Sequence, residues 1–537
     1  MNVRIIPLLT LLLLLVTPAS SPAAATGDDA AGSGVVELID ILREKGILTP
    51  EEARAIAGRV REQQAAGAGK TEEAHAEKEA GEVDEKVESL ERDVRLTTEE
   101  MLRRTRVNEH EIELVKWRIE EEVYERMNKS AWSERIRWGG DVRVRYQGEF
   151  YDDKNAELLE PSDPDTLMNT RINRHRARVR ARIAVKAVVN DPKNINEFGK
   201  VEVGVRLTTG NDKNPVSTNK TMGDYYARDG VVMDQAYLKW SYTPMMPIWG
   251  GKEPKVALLA GRFSNPFYST NLVWDTDLGL EGIALTGATD TFLGRKWNLF
   301  SSIGAFPLQE VEFADEDKYM YGAQFGATFF PTLDLAFTVA AALYEFENVT
   351  GSANAVGRPN ELDYTAPLYQ QKGNTLFDIN PNQGIRTALA ADFREFNLTG
   401  EARLAQFQPV IVKFTADYVN NIGFDKADVI RRTGNPDVDS ATEGFMVGVT
   451  VGHENPVSKG AWNTSLQYRY LEADAVLDAF TDSDFHMGGA NNQGWVLGGN
   501  YGLGGNFWLS GKYLTSDEID GPPLAIDVLQ LDLNGKF

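Results

Sequence analysis

Five arginines recur at every second position near residue 178, and this spacing is the sharpest chemical signal in the sequence. They are Arg174, Arg176, Arg178, Arg180 and Arg182. Alternate side chains of an extended strand point to opposite faces, so all five guanidinium groups share one face. Such a face can lower the barrier for a passing anion. The alternative is a structural wall of arginines that acidic residues neutralise.

Other charged residues join this face if the neighbouring segments pair beside it. Arg143 and Arg145 precede the five arginines and Arg206 follows them, so we expect all three on adjacent strands. Asp141 and Glu202 are the acidic residues that would neutralise the wall in the structural alternative. Guanidinium groups that face lipid cost several kcal/mol each near the membrane centre, so this face must border water.

Other chemistries find little support in the sequence. The chain has no cysteine, which excludes disulfides, thiol nucleophiles and c-type haem attachment. The five histidines form no close pair, and there is no nucleophile elbow or phosphate-binding glycine loop. We therefore expect no metal, no cofactor, no catalytic residues and no enzymatic activity. The acidic pieces 437–439 and 482–484 lack the twelve-residue calcium-loop pattern and indicate solvated loops.

The elements that position these residues are strands from about residue 132 to the end of the chain. In 462–468, for example, Trp462, Leu466 and Tyr468 alternate with Asn463 and Ser465. Many segments reach the ~9–11 residues that a tilted strand needs to cross a bilayer. Lipid then covers the apolar face, and water inside a closed cylinder covers the polar one. The pattern predicts an all-β transmembrane barrel.

The alternation predicts about 16 antiparallel strands, with counts between about 14 and 18 left open. The predicted strands span 135–147, 172–189, 199–210, 231–243, 255–264, 281–289, 294–306, 319–331, 333–346, 386–397, 408–420, 442–454, 459–473, 492–504, 506–516 and 524–537. Connections after odd strands are mostly long and those after even strands are short, as in outer-membrane barrels. Aromatic Phe537 on the outward face of the last strand is typical of the signal that barrel assembly reads.

The first quarter of the chain predicts export and helices. Residues 1–25 read as a cleaved signal peptide with a basic start, a leucine-rich stretch and small residues before the cleavage point. Residues 34–66 predict a helical hairpin, and 71–130 carry a heptad pattern with a stutter, which favours a trimeric coiled coil over a lone charged helix. The barrel then occupies 133–537. A net charge of -23 argues against a nucleic-acid partner.

Several stretches resemble the Putative porin family of Gram-negative outer membranes, which is related in organisation to the phosphate-selective porins. They are LIDILREKGILTPEEARAIA (38–57), GGDVRVRY (139–146), RHRARVRARIAV (174–185), RLTTGND (206–212), DQAYLKW (234–240) and GRFSNPFYSTNLVWDTDLGLEGIAL (261–285). The resemblance covers most of the chain, although the C-terminal half matches by alternation rather than by motif. It implies a general diffusion pore that assembles as a homotrimer.

The resemblance also draws attention to the third long connection, between residues 264 and 281. In large porins the third external loop folds inward and narrows the channel. The residues that would form this constriction are Phe267, Tyr268, Trp274, Asp275 and Asp277. The alternative is a surface loop that its aromatic side chains anchor.

These observations favour passive ion and solute transport by an outer-membrane porin, with lipid and small hydrophilic solutes as its partners and a preference for anions. The N-terminal helices would lie in the periplasm. One alternative is a structural protein whose helices tether the outer membrane to the cell wall. Another is a barrel that forms a sheath around a partner protein.

Overall fold

The computed structural model describes most of the chain from residue 135 onward. The described residues are 135–160, 163–190, 199–228, 230–242, 255–292, 296–312, 315–380 and 384–537. The predicted signal peptide, helical hairpin and coiled coil lie outside these residues. No helix within the described part combines the length and the hydropathy that a membrane-crossing helix needs.

Sixteen long strands follow one another along the chain. They are β1 (Ile136–Tyr151), β2 (Arg174–Asn190), β3 (Lys200–Thr208), β4 (Val232–Tyr242), β5 (Lys255–Ser264), β6 (Gly279–Phe292), β7 (Trp297–Gln309), β8 (Lys318–Thr332), β9 (Leu335–Glu347), β10 (Arg394–Leu404), β11 (Ile411–Asn421), β12 (Glu443–Gly452), β13 (Trp462–Leu471), β14 (Asn492–Gly504), β15 (Phe507–Glu518) and β16 (Ala525–Lys536). We number the connections after odd strands as loops 1 to 8.

The sixteen strands form a closed antiparallel barrel. Each strand pairs with its neighbours in the chain, and β1 pairs on its free side with β16, from Asp141 opposite Lys536 to Tyr151 opposite Ile526. Closure leaves no sheet edge with unpaired backbone groups, which hydrocarbon would not tolerate. The predicted sixteen-strand antiparallel barrel is therefore confirmed.

Burial alternates along the strands as the sequence pattern predicts. On β9, Val339 and Leu343 are exposed, whereas Ala340 and Tyr344 are buried. Adjacent side chains of a strand lie on opposite sides of the wall. The exposed apolar residues therefore cover the outside of the barrel, and their neighbours point inward.

One predicted strand is wrong in its position. The sequence placed the tenth strand at 386–397, but β10 spans Arg394–Leu404, and Thr387–Leu389 instead pairs with Leu376–Asp378 in a small hairpin of loop 5. Apolar residues alternate through both stretches without a clear turn between them. Periodicity alone therefore could not separate the loop strand from the barrel strand.

The loops pack into an apolar core of their own. The largest buried cluster contains Leu272 and Trp274 of loop 3, Phe377 of loop 5 and Leu477 of loop 7, together with inward-facing Tyr344. Loop 6 carries the helix α1 (Lys426–Thr433), which begins after the N-cap Asp425 and ends at Gly434 in the left-handed conformation. Long connections thus fill one end of the barrel, which we call the long-loop end.

Candidate functional site

Pairing of β1 with β2 brings the predicted arginines into one patch. Arg143 lies opposite Arg180, and Arg145 lies opposite Arg178. Like charges directly opposite one another in a sheet repel, so this arrangement needs partners that offset the repulsion. We call the eight predicted arginines (143, 145, 174, 176, 178, 180, 182 and 206) the arginine wall.

Carboxylates partner five of the eight arginines. Arg145 is almost fully buried between Asp532 of β16, at 2.7 Å, and Asp484 of loop 7, at 3.1 Å. Arg180 and Arg182 both contact Asp141, at 2.9 and 2.8 Å.

The remaining carboxylate partners come from three different elements. Asp277 of loop 3 lies 3.3 Å from Arg180 and 3.5 Å from Arg182. Arg176 pairs with Glu149, and Arg206 pairs with Asp234 at 2.7 Å. Glu202, which the structural alternative placed here, contacts Lys200 instead.

Three arginines of the wall have no carboxylate partner within the described part of the chain. Arg143 donates one hydrogen bond to Asn219, at 2.6 Å, and Arg178 donates one to Gln147, at 3.2 Å. The Nε atoms of both are buried without a hydrogen-bond partner. Arg174 is exposed. Hydrogen-bonding capacity and positive charge therefore remain available at Arg143 and Arg178.

Loop 3 contacts inward-facing side chains on many strands. Phe267 and Trp274 are buried, and each packs edge to face against Tyr344 of β9 with ring centroids 5.1 Å apart. The backbone N–H of Tyr268 donates to Gln324 of β8 at 2.7 Å. Of the five predicted loop residues, Asp277 reaches the arginine wall.

Arg469 of β13 joins loop 3 to loop 7. It is buried and donates to the carbonyl oxygens of Asn271, at 3.1 Å, and Leu272, at 3.4 Å. Its guanidinium group also lies 3.6 Å from Asp482 and over the ring of Phe485. Sequence reasoning missed this residue because nothing in the strand pattern distinguishes it from other inward-facing polar positions.

Loop 7 brings acidic groups that the sequence suggested only as solvated. Burial opposes the ionisation of Asp484, but Arg145, Lys512 and Arg143 outweigh it and hold the pKa of that carboxyl well below its usual range. Loop 7 also acts on Asp275 of loop 3. Burial and the nearby Asp482 raise the pKa of Asp275 to about 8, although the backbone N–H groups of Asp277 and Ser483 donate hydrogen bonds to its carboxylate.

His486 of loop 7 is a buried, uncharged histidine. Burial, followed by repulsion from Lys372, lowers its pKa to about 4, although Glu518 attracts the charged form. Its ring contacts the Ser516 hydroxyl at 2.9 Å and Glu518 at 2.7 Å. A neutral ring donates to the carboxylate through one nitrogen. The single hydroxyl proton of Ser516 goes either to the other ring nitrogen or to the carbonyl oxygen of Ile526, which also lies 2.9 Å away.

A polar cavity of about 270 Å³ lies against the arginine wall. Arg176 and Arg178 line it together with Lys372 of loop 5 and Asp484 of loop 7. Glu160 adds a second carboxylate, and neutral hydrogen-bonding side chains line much of the rest, namely Gln147, Asn214, Ser217, Gln370, Gln371 and Ser483. Met168, Tyr369, Met487 and Ile526 add apolar surface, so the charged groups of the lining are three cations and two carboxylates. Across the described residues, no group of three metal-ligating side chains comes together. The arrangement suits binding of a hydrated or oxygen-bearing anion.

Comparisons with solved structures return bacterial outer-membrane proteins of low similarity. OprB of Pseudomonas putida is 10% identical over 75% of this chain and 94% of that chain, with a TM-score of 0.42. The outer membrane channel DcaP of Acinetobacter baumannii is 12% identical over 75% of this chain and 97% of that chain, with a TM-score of 0.39. OmpF of Salmonella typhi, in complex with daunomycin, is 9% identical over 75% and 97% of the two chains, with a TM-score of 0.39.

Comparison with curated proteins finds no match. The sequence model of the family described as "Putative porin" matches residues 33–537. This range includes the whole barrel, the arginine wall and loop 3. Because the match extends over nearly the entire sequence, the chain belongs to the Putative porin family.

Proposed function

We propose that the protein is an outer-membrane porin through which small hydrophilic solutes and ions diffuse passively, with a preference for anions. Membership of the family and the closed sixteen-strand barrel support a channel rather than an enzyme. Barrels of this size enclose an aqueous space, whereas eight strands leave room only for packed side chains or one small ligand. The single observation that carries the anion preference is the charge balance of the arginine wall.

The arginine wall keeps an excess of positive charge after pairing. Its eight guanidinium groups face six carboxylates: Asp141, Glu149, Asp234, Asp277, Asp484 and Asp532. Eight minus six leaves a formal charge of +2 on the arginine wall and these six partners. A ring or stripe of fixed charge lowers the barrier for counter-ions. The anion path would therefore pass beside Arg143 and Arg178.

In this proposal loop 3 forms the narrowest part of the path. Its aromatic residues Phe267 and Trp274 occupy space inside the barrel, and Asp277 holds the loop to the arginine wall. Narrowing brings a permeating ion closer to the fixed charges, which strengthens their effect on selectivity. Tyr268 and Asp275 complete the proposed constriction.

Electrical recording on the purified full chain in planar bilayers tests the function. We expect stepwise single-channel conductance and, in a tenfold KCl gradient, a reversal potential that indicates chloride preference. Absence of conductance steps from a correctly folded barrel would reject the channel. Cation selectivity of the native protein that neutralising Arg176 and Arg178 does not change would reject the anion preference.

The proposal also covers assembly and the segment before the barrel. The start of β1 and the end of β16 lie side by side, so both barrel termini emerge at the same end. We propose that this end faces the periplasm, that the helices at 34–130 extend there, and that their heptad pattern supports a homotrimer. Deleting residues 34–130 should change the oligomeric state in chemical cross-linking while leaving single-channel conductance in place.

A further inference from the structure

A second cavity, of about 560 Å³, lies at the long-loop end and is distinct in chemistry from the polar one. Loops 2, 3, 5 and 7 and the adjoining ends of β6, β7 and β8 form it. Its apolar wall consists of Trp274, Phe306, Leu308, Met320, Leu389 and Phe480. Charged side chains also line it, namely Asp212, Lys213, Asp478 and the pair of Arg262 and Glu281, whose atoms lie 2.9 Å apart. The volume and the aromatic lining are those of sites that hold small organic molecules.

One buried cation lines this apolar cavity. The Nζ of Lys318 donates to the carbonyl oxygens of Thr365, at 3.1 Å, and Ala366, at 2.9 Å. An ammonium group has three donors, so one remains. The side chain is buried and forms no ion pair with a carboxylate in the described residues. An isolated buried charge is costly, and an anionic ligand would offset that cost.

We propose that this cavity binds a small monocarboxylate with an apolar or aromatic body. The carboxylate accepts a hydrogen bond from Lys318, and the hydrocarbon part packs against Trp274, Leu308 and Phe480. A small anion without an apolar body leaves the apolar wall in contact with water, and an uncharged solute leaves the Lys318 ammonium group without an anionic partner. The cavity therefore favours molecules that combine a carboxylate with an apolar body.

The position of the cavity connects it to the proposed path. Tyr369 of loop 5 lines both this cavity and the polar cavity beside the arginine wall. An apolar carboxylate held at the first would lie in a cavity that shares Tyr369 with the polar cavity, which Arg176 and Arg178 line. The idea that such solutes continue through the barrel rests on the proposed function, whereas binding in the cavity does not.

Calorimetric titration of the detergent-solubilised full chain with sodium benzoate tests the site. We expect Lys318→Met, which keeps an unbranched apolar side chain and removes the charge, to weaken benzoate binding at least tenfold, about 1.4 kcal/mol. Lys426→Met removes an exposed charge from α1 and should leave the affinity unchanged. Benzyl alcohol should bind the native protein and Lys318→Met equally. Equal benzoate affinity in the native protein and Lys318→Met would overturn the proposal.

A ligand series on the native chain keeps the test valid if Lys318→Met does not fold. From acetate to butyrate to hexanoate, affinity should rise about two- to fourfold per methylene, because each one adds apolar burial. Leu308→Trp, which fills the cavity, should abolish the trend. Equal binding of all three carboxylates would refute an apolar site. Conductance without benzoate binding rejects this site alone, and benzoate binding without conductance rejects only the proposed channel.

Discussion

Arg178 is the position at which one substitution tests the charge balance of the arginine wall most cleanly. Arg178→Gln removes a positive charge that lines the polar cavity and leaves no carboxylate unpaired, because its one hydrogen bond goes to Gln147. Losing one member of a buried ion pair would be strongly destabilising, and this substitution avoids that cost. The barrel should therefore fold normally while its selectivity changes.

The magnitude follows from the distance of closest approach. An anion in contact with a guanidinium group of the wall lies about 4 Å from its charge. Two unit charges at that distance in water interact by ~1 kcal/mol, which is about a fivefold change in occupancy. The screening length of ~10 Å at 0.1 M salt exceeds this distance, so the effect survives in ordinary recording buffers.

The assay is the reversal potential of single channels in a tenfold KCl gradient. Arg178→Gln should lower the chloride-to-potassium permeability ratio about fivefold. Arg178→Lys should retain the native ratio. Arg431→Gln changes the same formal charge on the exposed face of α1 and should have no effect. An unchanged ratio in Arg178→Gln would show that ions do not pass beside the arginine wall.

Three further predictions concern the loops and the barrel seam. Arg469→Met breaks the buried link between loops 3 and 7 at a cost of about 3–5 kcal/mol, so hydrogen exchange of residues 265–278 should accelerate and channel current should become noisier. The pKa of His486 is about 4 in the folded state and 6.5 in a free side chain, so the contribution of this ring to the stability of loop 7 should fall by roughly 3 kcal/mol as pH falls from 6.5 to 4. Burial raises the pKa of Asp478 to about 7 and of Asp275 to about 8, and protonation of these groups stabilises the fold over the same range, so the loss is measured as the difference in loop 7 proteolysis between the native protein and His486→Gln. Gly140→Ala should lower the yield of heat-modifiable folded barrel, because an added Cβ would meet the Arg182 carbonyl oxygen and the ring of Phe537, an overpacking cost of about 1–3 kcal/mol.

Each of these predictions has a matched control. Arg431→Met removes an exposed arginine and should leave hydrogen exchange of loop 3 unchanged. His486→Gln keeps hydrogen-bonding capacity without a titrating ring, so it supplies the reference from which the loss due to His486 is measured. At Gly139 an added Cβ would meet only the Phe537 carbonyl oxygen, at 3.5 Å, so Gly139→Ala should fold normally. Equal loss of folded barrel in the two glycine variants would contradict the steric argument.

Strand positions could be predicted well wherever alternation ended at a turn. The predicted strand 492–504 coincides with β14, and 255–264 coincides with β5. Prediction failed for β10, because loop 5 carries its own small hairpin with the same alternation. Alternation of apolar and polar residues indicates an extended backbone. It does not distinguish a strand of the barrel from a strand inside a loop.

The sequence by itself indicated about sixteen strands, with 14 to 18 left open, and it determined the shared face of the arginines and the absence of cysteine chemistry, because each depends on residue type and local spacing. Only the tertiary structure decided which arginines are neutralised. Asp484 lies far from Arg145 in the chain, and Asp277 far from Arg180, yet closure of the barrel and folding of loops 3 and 7 bring them within hydrogen-bond distance. Pairing between distant charges depends on loop geometry, which no local periodicity encodes. The charge left on Arg143 and Arg178 is therefore a property of the folded barrel.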